Sequence, residues 1–117
     1  MWRIETTDRF DAWYSALDKT ERECVLASLL VLGVKGPQLP RPWADTIKGS
    51  RYPNMKELRI QCRGKPIRAF YAFDVQRTGI ILCAGDKSVC EKRFYDVMLP
   101  IAEQEYADHL KRINKKE

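Results

Sequence analysis

The chain opens on alternation. In WRIET, residues 2–6, Trp2, Ile4 and Thr6 alternate with Arg3 and Glu5, and this period of two predicts a short strand. The period then changes. Phe10, Trp13, Tyr14 and Leu17 stand at i, i+3, i+4 and i+7, the apolar stripe of a helix packed on a core. Thr7 precedes the stripe as an N-cap, and Asp8 and Asp11 suit the positive end of the helix dipole. TERE, residues 20–23, has the spacing of a capping box, with Thr20 at the N-cap and Glu23 three residues on. It predicts a second helix that reaches Leu32 and is stopped by Gly33, Gly36 and Pro37. A break this short folds the two helices into an antiparallel hairpin.

Residues 35–54 have no period. Pro37, Pro40, Pro42 and Pro53 forbid a continuous helix or a central strand, so the segment reads as a loop, with Trp43 and Ile47 as anchors. A connection of this length carries function or wraps the core. Alternation then returns in KELRIQC, with Leu58, Ile60 and Cys62 inward and Glu57, Arg59 and Gln61 outward. RGK at 63–65 is a hairpin signal, Gly64 supplying the positive φ, and PIRAFYAFD is the return strand. GIILCAG is nearly all apolar, which suits a strand buried on both faces. After a loop through GDKSVCEKR, Phe94, Met98, Ala102, Tyr106 and Leu110 mark a last helix, kinked or broken at Pro100. The order β-α-α-β-β-β-α predicts an α+β fold: helices packed on one face of a mainly antiparallel sheet, the other face left to Arg59, Arg68 and their neighbours. The length of 117 residues fits one domain, over 1–112, followed by a short basic tail, 113–117.

Composition narrows the class. The sequence is 44% apolar and 32% charged, as expected of a globular domain. Glu5 arrives early and no apolar run follows it, unlike a signal peptide. The longest apolar run, 25–34, is too short to span a bilayer, so a cytoplasmic protein without a membrane partner is expected. Cys24, Cys62, Cys83 and Cys90 are scattered, without a C-x-x-C pair, and His109 is the one histidine. Free, mostly buried thiols are expected, and no zinc site. The net charge of +5 is uneven: residues 1–50 balance seven cations with seven anions, whereas 51–95 carry ten cations against four anions. A local excess of this kind is the footprint of a phosphate-rich partner or a solvated basic face.

The chemistry on offer is narrow. No phosphate-binding glycine loop is present, no paired carboxylates, and no carboxylate cluster for a divalent cation; no cofactor is expected. His109 reads as an exposed or half-buried helix residue. What is left are arginines, lysines and tyrosines. ELRIQCRGKPIRAFYAFD, residues 57–74, holds Arg59, Arg63, Lys65 and Arg68 with Glu57 and Asp74 as the offsetting anions. Such a set can grip phosphate bidentately and cleave RNA through attack of the 2′-OH, with a base, cations around the developing dianion, and an acid for the leaving oxygen. A surface ladder of ion pairs is the plainer reading of the same residues.

The ordered set IKGS (47–50), KELR (56–59), IRAFYAFD (67–74) and the run GDK…RFY…PIA (85–102) resembles the HigB-like branch of the RelE/ParE toxin superfamily, also described as phage-derived. The resemblance spans residues 1–112. It implies a RelE-like fold and the toxin of a type II toxin–antitoxin module: a metal-independent endoribonuclease that cuts mRNA on the translating ribosome. The implied partners are a HigA-like helix-turn-helix antitoxin, mRNA and the ribosome, with operator DNA reached only through the antitoxin. Carried over by motif, Arg59, Arg68 and Arg93 are phosphate grips. Lys56 or Lys87 activates the 2′-OH or stabilises the transition state, and Tyr95 stacks on a base or donates a proton. Arg51, Arg63, Lys65 and Lys48 extend the RNA-binding surface. The sequence departs from the RelE pattern at Glu57, where a lysine is expected; Glu57 is then a general base or a salt-bridge partner of Arg59 or Arg68. Two rivals share the fold or the charge: a gyrase inhibitor of the ParE kind, and a basic RNA- or ribosome-binding module that does not cleave.

Overall fold

The structure is a computed structural model that describes residues 1–89 and 91–115. Strand β1 (Arg3–Thr6) leads into helices α1 (Asp8–Ser15) and α2 (Lys19–Lys35). A 3-10 turn (Gly36–Gln38) and strands β2 (Ala44–Thr46), β3 (Lys56–Cys62), β4 (Lys65–Phe73) and β5 (Thr78–Asp86) follow, then helix α3 (Phe94–Asn114). The sheet order is β1-β5-β4-β3-β2, antiparallel except where β1 runs parallel to β5. The expected α+β class holds, with one strand more than the sequence pattern suggests. β2 lies within the proline-rich stretch read as loop; it is three residues long, too short to show a period.

Helices cover both faces of the sheet, not one. Leu58, Ile60 and Cys62 alternate inward on β3 and meet Ile67, Ala69 and Tyr71 of β4 and Ile81 of β5; Phe10, Val25 and Leu32 of the helical hairpin close over them. The opposite pleat, with Phe70, Ala72, Ile80 and Leu82, packs against Phe94, Ala102 and Tyr106 of α3. Residues Thr78 to Ala84 are all buried, as the unbroken apolar run predicts for a strand covered twice. The pairing of β4 with β5 slips between Phe70 and Tyr71, and both Leu82 and Cys83 join the α3-side core. Gly85 lets α3 start close to the sheet: a Cβ there would lie 3.2 Å from the Phe94 ring.

α3 is one 21-residue helix through Pro100 rather than two pieces, and it continues past the expected boundary at 112 with Ile113 buried. Residues 116–117 of the expected basic tail lie outside the described residues. His109 is not a surface residue. Its Nε2 lies 2.7 Å from Asp74 Oδ2, both side chains buried, while Asp74 Oδ1 accepts the backbone N–H groups of Gln76 and Thr78. One turn earlier, Tyr106 accepts from Asn54 and packs edge-on against Tyr52. These contacts bolt the C-terminal half of α3 to the β4–β5 turn.

Thr7 caps α1 as expected, accepting from the Phe10 N–H at 3.1 Å. The cap of α2 falls two residues before the predicted one. Asp18 accepts the Glu21 N–H at 2.8 Å and Glu21 accepts the Asp18 N–H at 3.2 Å, so the capping box is DKTE rather than TERE. The cysteine expectation changes too: Cys24 and Cys62 form a disulfide with Cα atoms 5.9 Å apart, tying α2 to the end of β3. Cys83 is a free buried thiol, pushed up to about 12 by burial. Cys90 lies outside the described residues.

Two predictions follow from this packing. Truncation in His109→Ala leaves the buried Asp74 carboxylate short of a partner, and urea unfolding should show a loss of about 2–4 kcal/mol; an unchanged midpoint would mean the pair carries no stability. The second concerns Asp18 and Glu21. The folded state lowers both carboxyl pKa values, Asp18 chiefly through the Glu21 N–H and Glu21 chiefly through the Lys65 ammonium. Their contribution is therefore present above the ordinary carboxylate range and lost as pH falls through the folded values. The difference in Tm between the native chain and Glu21→Gln should be full at neutral pH and close below about pH 4.

Candidate nucleic-acid interface

Strand register builds the site. Arg59 and Arg68 are direct cross-strand partners, Glu57 stands opposite Phe70, and Asp45 of β2 stands opposite Glu57. Two like charges face to face are unfavourable unless an anion lies between them. Glu57 supplies it. The residue is 4% exposed, and each of its oxygens is engaged. Oε2 accepts from Arg59 Nε at 3.2 Å; Oε1 accepts the Tyr95 hydroxyl at 2.6 Å and lies 3.8 Å from Arg68 Nε. The last distance is an ion pair without a hydrogen bond, and Arg68 Nε is buried with no hydrogen-bond partner. Arg68 Nη1 donates to its neighbour's carbonyl, Ile67 O, at 3.1 Å. Arg59 Nη2 reaches Asp45 Oδ2 at 3.3 Å.

Tyr95 comes from the first turn of α3, set there by Phe94 against Gly85. Its phenol is pushed up to about 12, first by burial and then by the Glu57 carboxylate that holds its proton. The phenol is therefore a protonated donor across the physiological range. Its ring is walled edge-on by Phe70 and Phe94, with the Lys87 ammonium 5.2 Å from its centre. Lys87 is placed by its own N–H, which donates to Pro66 O at 2.9 Å.

Two clefts meet at Arg59. One, of about 240 Å³, is lined by Asp45, Thr46, Lys48, Glu57, Tyr95 and Leu99 as well as Arg59. The other, of about 350 Å³, is lined by Pro42, Trp43, Arg59, Gln61 and Arg68. The open groove thus runs along the β2–β3 edge, where α3 begins and its cover ends. It brings together Arg59, Arg68, Glu57, Tyr95 and Lys48, with Lys87 beside it over the Tyr95 ring.

The remaining sequence candidates go elsewhere. Lys56 points to the other pleat and donates to Pro37 O at 3.0 Å, holding the turn after α2. Arg63 pairs with Asp18 at 2.8 Å and Lys65 with Glu21 at 2.6 Å, so both staple the β3–β4 hairpin to the start of α2. The Lys65 pKa is raised chiefly by its hydrogen bond to Glu21. Arg51 lies along α3: its N–H donates to Glu103 and its guanidinium stands 5.0 Å over the Tyr52 ring. Arg93 is the exposed N-cap residue of α3, without a capping hydrogen bond. Asp45 and Trp43, both at the groove, were not among the candidates: their segment looked like loop, and no motif marks them. Among the described residues no cluster of three His, Cys, Asp or Glu side chains could hold a metal ion.

Comparison with known proteins places this chain in a family. Residues 12–107 match the family described as "Phage derived protein Gp49-like (DUF891)". The chain is 40% identical over 94 residues to HigB3 of Mycobacterium tuberculosis, named as a candidate toxin, covering 80% of this chain and 81% of that protein. The chain belongs to the Gp49-like family, as a HigB-like member of the RelE/ParE toxin superfamily. A second M. tuberculosis candidate toxin, HigB2, is 40% identical over 104 residues, 88% of this chain. The HigB-like chain spans about half the length of that relative, 52%. Its fold is that of the toxin in the Escherichia coli RelBE toxin–antitoxin complex, with a TM-score of 0.58 at 16% identity, over 74% of this chain and 96% of that one.

The hydrogen bond from Tyr95 to Glu57 is open to direct measurement. Glu57→Gln removes the charge that stabilises the protonated phenol, so the Tyr95 ionisation should move down from about 12, read as a phenolate absorbance absent from Tyr95→Phe. An unmoved titration would show that burial alone holds the proton.

Proposed function

We propose that this HigB-like chain is the toxin of a type II toxin–antitoxin module and an endoribonuclease that cleaves mRNA on the translating ribosome. The observation that carries the reading is the Glu57–Tyr95 hydrogen bond set between two facing arginines in an open groove. A carboxylate base, a phenol acid and a pair of guanidinium forks are the parts that 2′-OH transesterification needs.

In this reading a phosphodiester enters across Arg59 and Arg68. Glu57 takes the proton of the 2′-OH, whose oxygen attacks phosphorus. Arg59 and Arg68, with Lys87 beside Tyr95, hold the charge that grows on the non-bridging oxygens. Tyr95 gives its proton to the departing 5′-oxygen, leaving a 2′,3′-cyclic phosphate on one fragment and a 5′-hydroxyl on the other. Glu57, now protonated and 2.6 Å from the phenolate, returns the proton to Tyr95 and restores both groups. Glu57 thereby takes the role that a lysine holds in the RelE pattern, and Lys56, on the other pleat, has none.

The partner follows from the same family. The RelBE structure is that of a toxin bound to its antitoxin. In this chain Leu26, Leu30 and Val34 stand at i, i+4 and i+8 on α2, all exposed, and form the face that a HigA-like antitoxin would cover. No described helix is long and apolar enough to cross a membrane.

The test is a cell-free translation reaction with primer extension on the mRNA. The native chain should produce discrete cuts. Tyr95→Phe and Arg68→Ala should reduce them about a hundredfold or more, and Arg68→Lys should recover only part, since a lysine lacks the fork. Translation arrested over intact mRNA would replace cleavage with a non-nucleolytic ribosome binder. Normal translation would remove the RNA reading and favour a gyrase-directed toxin.

A further inference from the structure

Trp43 is 53% exposed, an unusual position for an indole with no described aromatic neighbour. The other two tryptophans are accounted for: Trp2 packs on Phe73 beneath the Arg77 guanidinium, and Trp13 packs on Phe10. Trp43 is nonetheless held firmly. Its N–H donates to Pro40 O at 3.1 Å, and its carbonyl accepts the Arg59 N–H at 2.8 Å. The second bond fixes the residue to the same position of β3 that presents the Arg59 guanidinium. The indole borders two clefts at once: the one it shares with Arg59, Gln61 and Arg68, and a smaller one of about 140 Å³ against Ala27, Val31, Leu39 and Leu58. An apolar wall therefore backs the ring on the α2 side, and the phosphate-gripping arginines lie along it on the other.

The proposed reaction leaves a vacancy of role that this arrangement fills. Tyr95 cannot serve as a stacking platform, because its ring is walled by Phe70 and Phe94 and capped by Lys87. An RNA strand gripped at Arg59 and Arg68 presents its neighbouring base to a flat surface one residue-width from the phosphate, and the exposed indole is that surface. Gln61, exposed on the same pleat as Arg59 and lining the same cleft, carries a donor and an acceptor that can pair with a base edge.

We propose that Trp43 and Gln61 form a nucleobase subsite, in which an unstacked base beside the scissile phosphate lies on the Trp43 ring and is read by the Gln61 amide. The subsite rests on the RNA-cleaving reading of the Glu57 groove. It makes Trp43 a binding residue and Gln61 a specificity residue, neither taking part in the proton transfers. Base–aromatic stacking tolerates sequence, whereas the amide discriminates, so the two residues have separable signatures.

The experiment maps cut sites by sequencing fragment ends from cell-free translation, with the native chain and with Trp43→Phe, Trp43→Leu and Gln61→Ala. Urea unfolding of each variant accompanies it. Trp43→Leu keeps apolar bulk but has no π-face; cleavage should fall roughly ten- to a hundredfold, with unfolding unchanged. Trp43→Phe should retain most of the activity. Gln61→Ala should cut with similar yield but with a broader distribution of bases beside the cut. Native-like yield and base distribution in both Trp43→Leu and Gln61→Ala would overturn the subsite while leaving the nuclease intact. Absence of cuts by the native chain would overturn the subsite together with the reading it rests on.

Discussion

A carboxylate buried in the face of a sheet must be met by donors and cations or it does not stay charged. Glu57 is met three times, by the Arg59 guanidinium, the Tyr95 hydroxyl and the more distant Arg68 Nε. Each partner comes from a different element, so one side chain ties β3, β4 and the start of α3 at the end of the molecule where the cover of the sheet stops. Removing the charge would set two arginines face to face in a half-buried ladder, with nothing between them. The groove is thus a consequence of how the protein tolerates one buried anion.

Pleat parity divides the basic residues into two populations. Residues on the Leu58–Ile60–Cys62 pleat face the helical hairpin, and Lys56 falls there, spent on the Pro37 carbonyl. Arg63 and Lys65, at the hairpin turn, meet Asp18 and Glu21, the two acids that also form the capping box of α2. The Arg63–Asp18 pair is exposed, and an ion pair of that kind contributes little by itself, whereas Glu21 is buried under Lys65; together the two pairs register the hairpin against the helix. Arg59 and Arg68 lie on the opposite pleat. The charge excess in the sequence is real, but of the five cations between 56 and 68 three serve architecture and two face the groove.

That division explains what was legible in the sequence. Periods of two and of 3.6, a capping box and one unbroken apolar run located every element longer than three residues. The family motifs pointed to Arg59, Arg68, Lys87 and Tyr95, which the fold gathers, but also to Lys56 and Arg93, which it does not, and Glu57 stood out only as a departure from the pattern. β2 could not be read because three residues carry no period, and with it went Asp45, whose place depends entirely on pairing with Glu57. His109 was misplaced because its burial depends on Asp74, 35 residues away, and local sequence contains no sign of that pairing. The capping box was read two residues late because DKTE and TERE share the same spacing, and only the folded chain shows the reciprocal Asp18–Glu21 bonds that start α2. The expectation that one face of the sheet was bare failed for a simpler reason. Alternation states which residues share a face, and the strongly apolar Phe70, Ala72, Ile80 and Leu82 set already required a second cover.

The two anions of the groove differ in how readily they yield. Asp45 holds Arg59 at 3.3 Å with both side chains about a third exposed, 33% and 35%, a contact that water and salt already weaken. Glu57 is buried, and breaking its contacts would strand a charge. A polyanion entering the groove therefore competes with Asp45 and not with Glu57. Displacing Asp45 frees one side of the Arg59 fork, through Nη2, while Nε stays on Glu57. The arginine can then grip a phosphate without releasing the carboxylate that orients it and the phenol. In the proposed reading Glu57, which neutralises the facing arginines, thus stays in place as the base, and Asp45 holds the position that a phosphate would take.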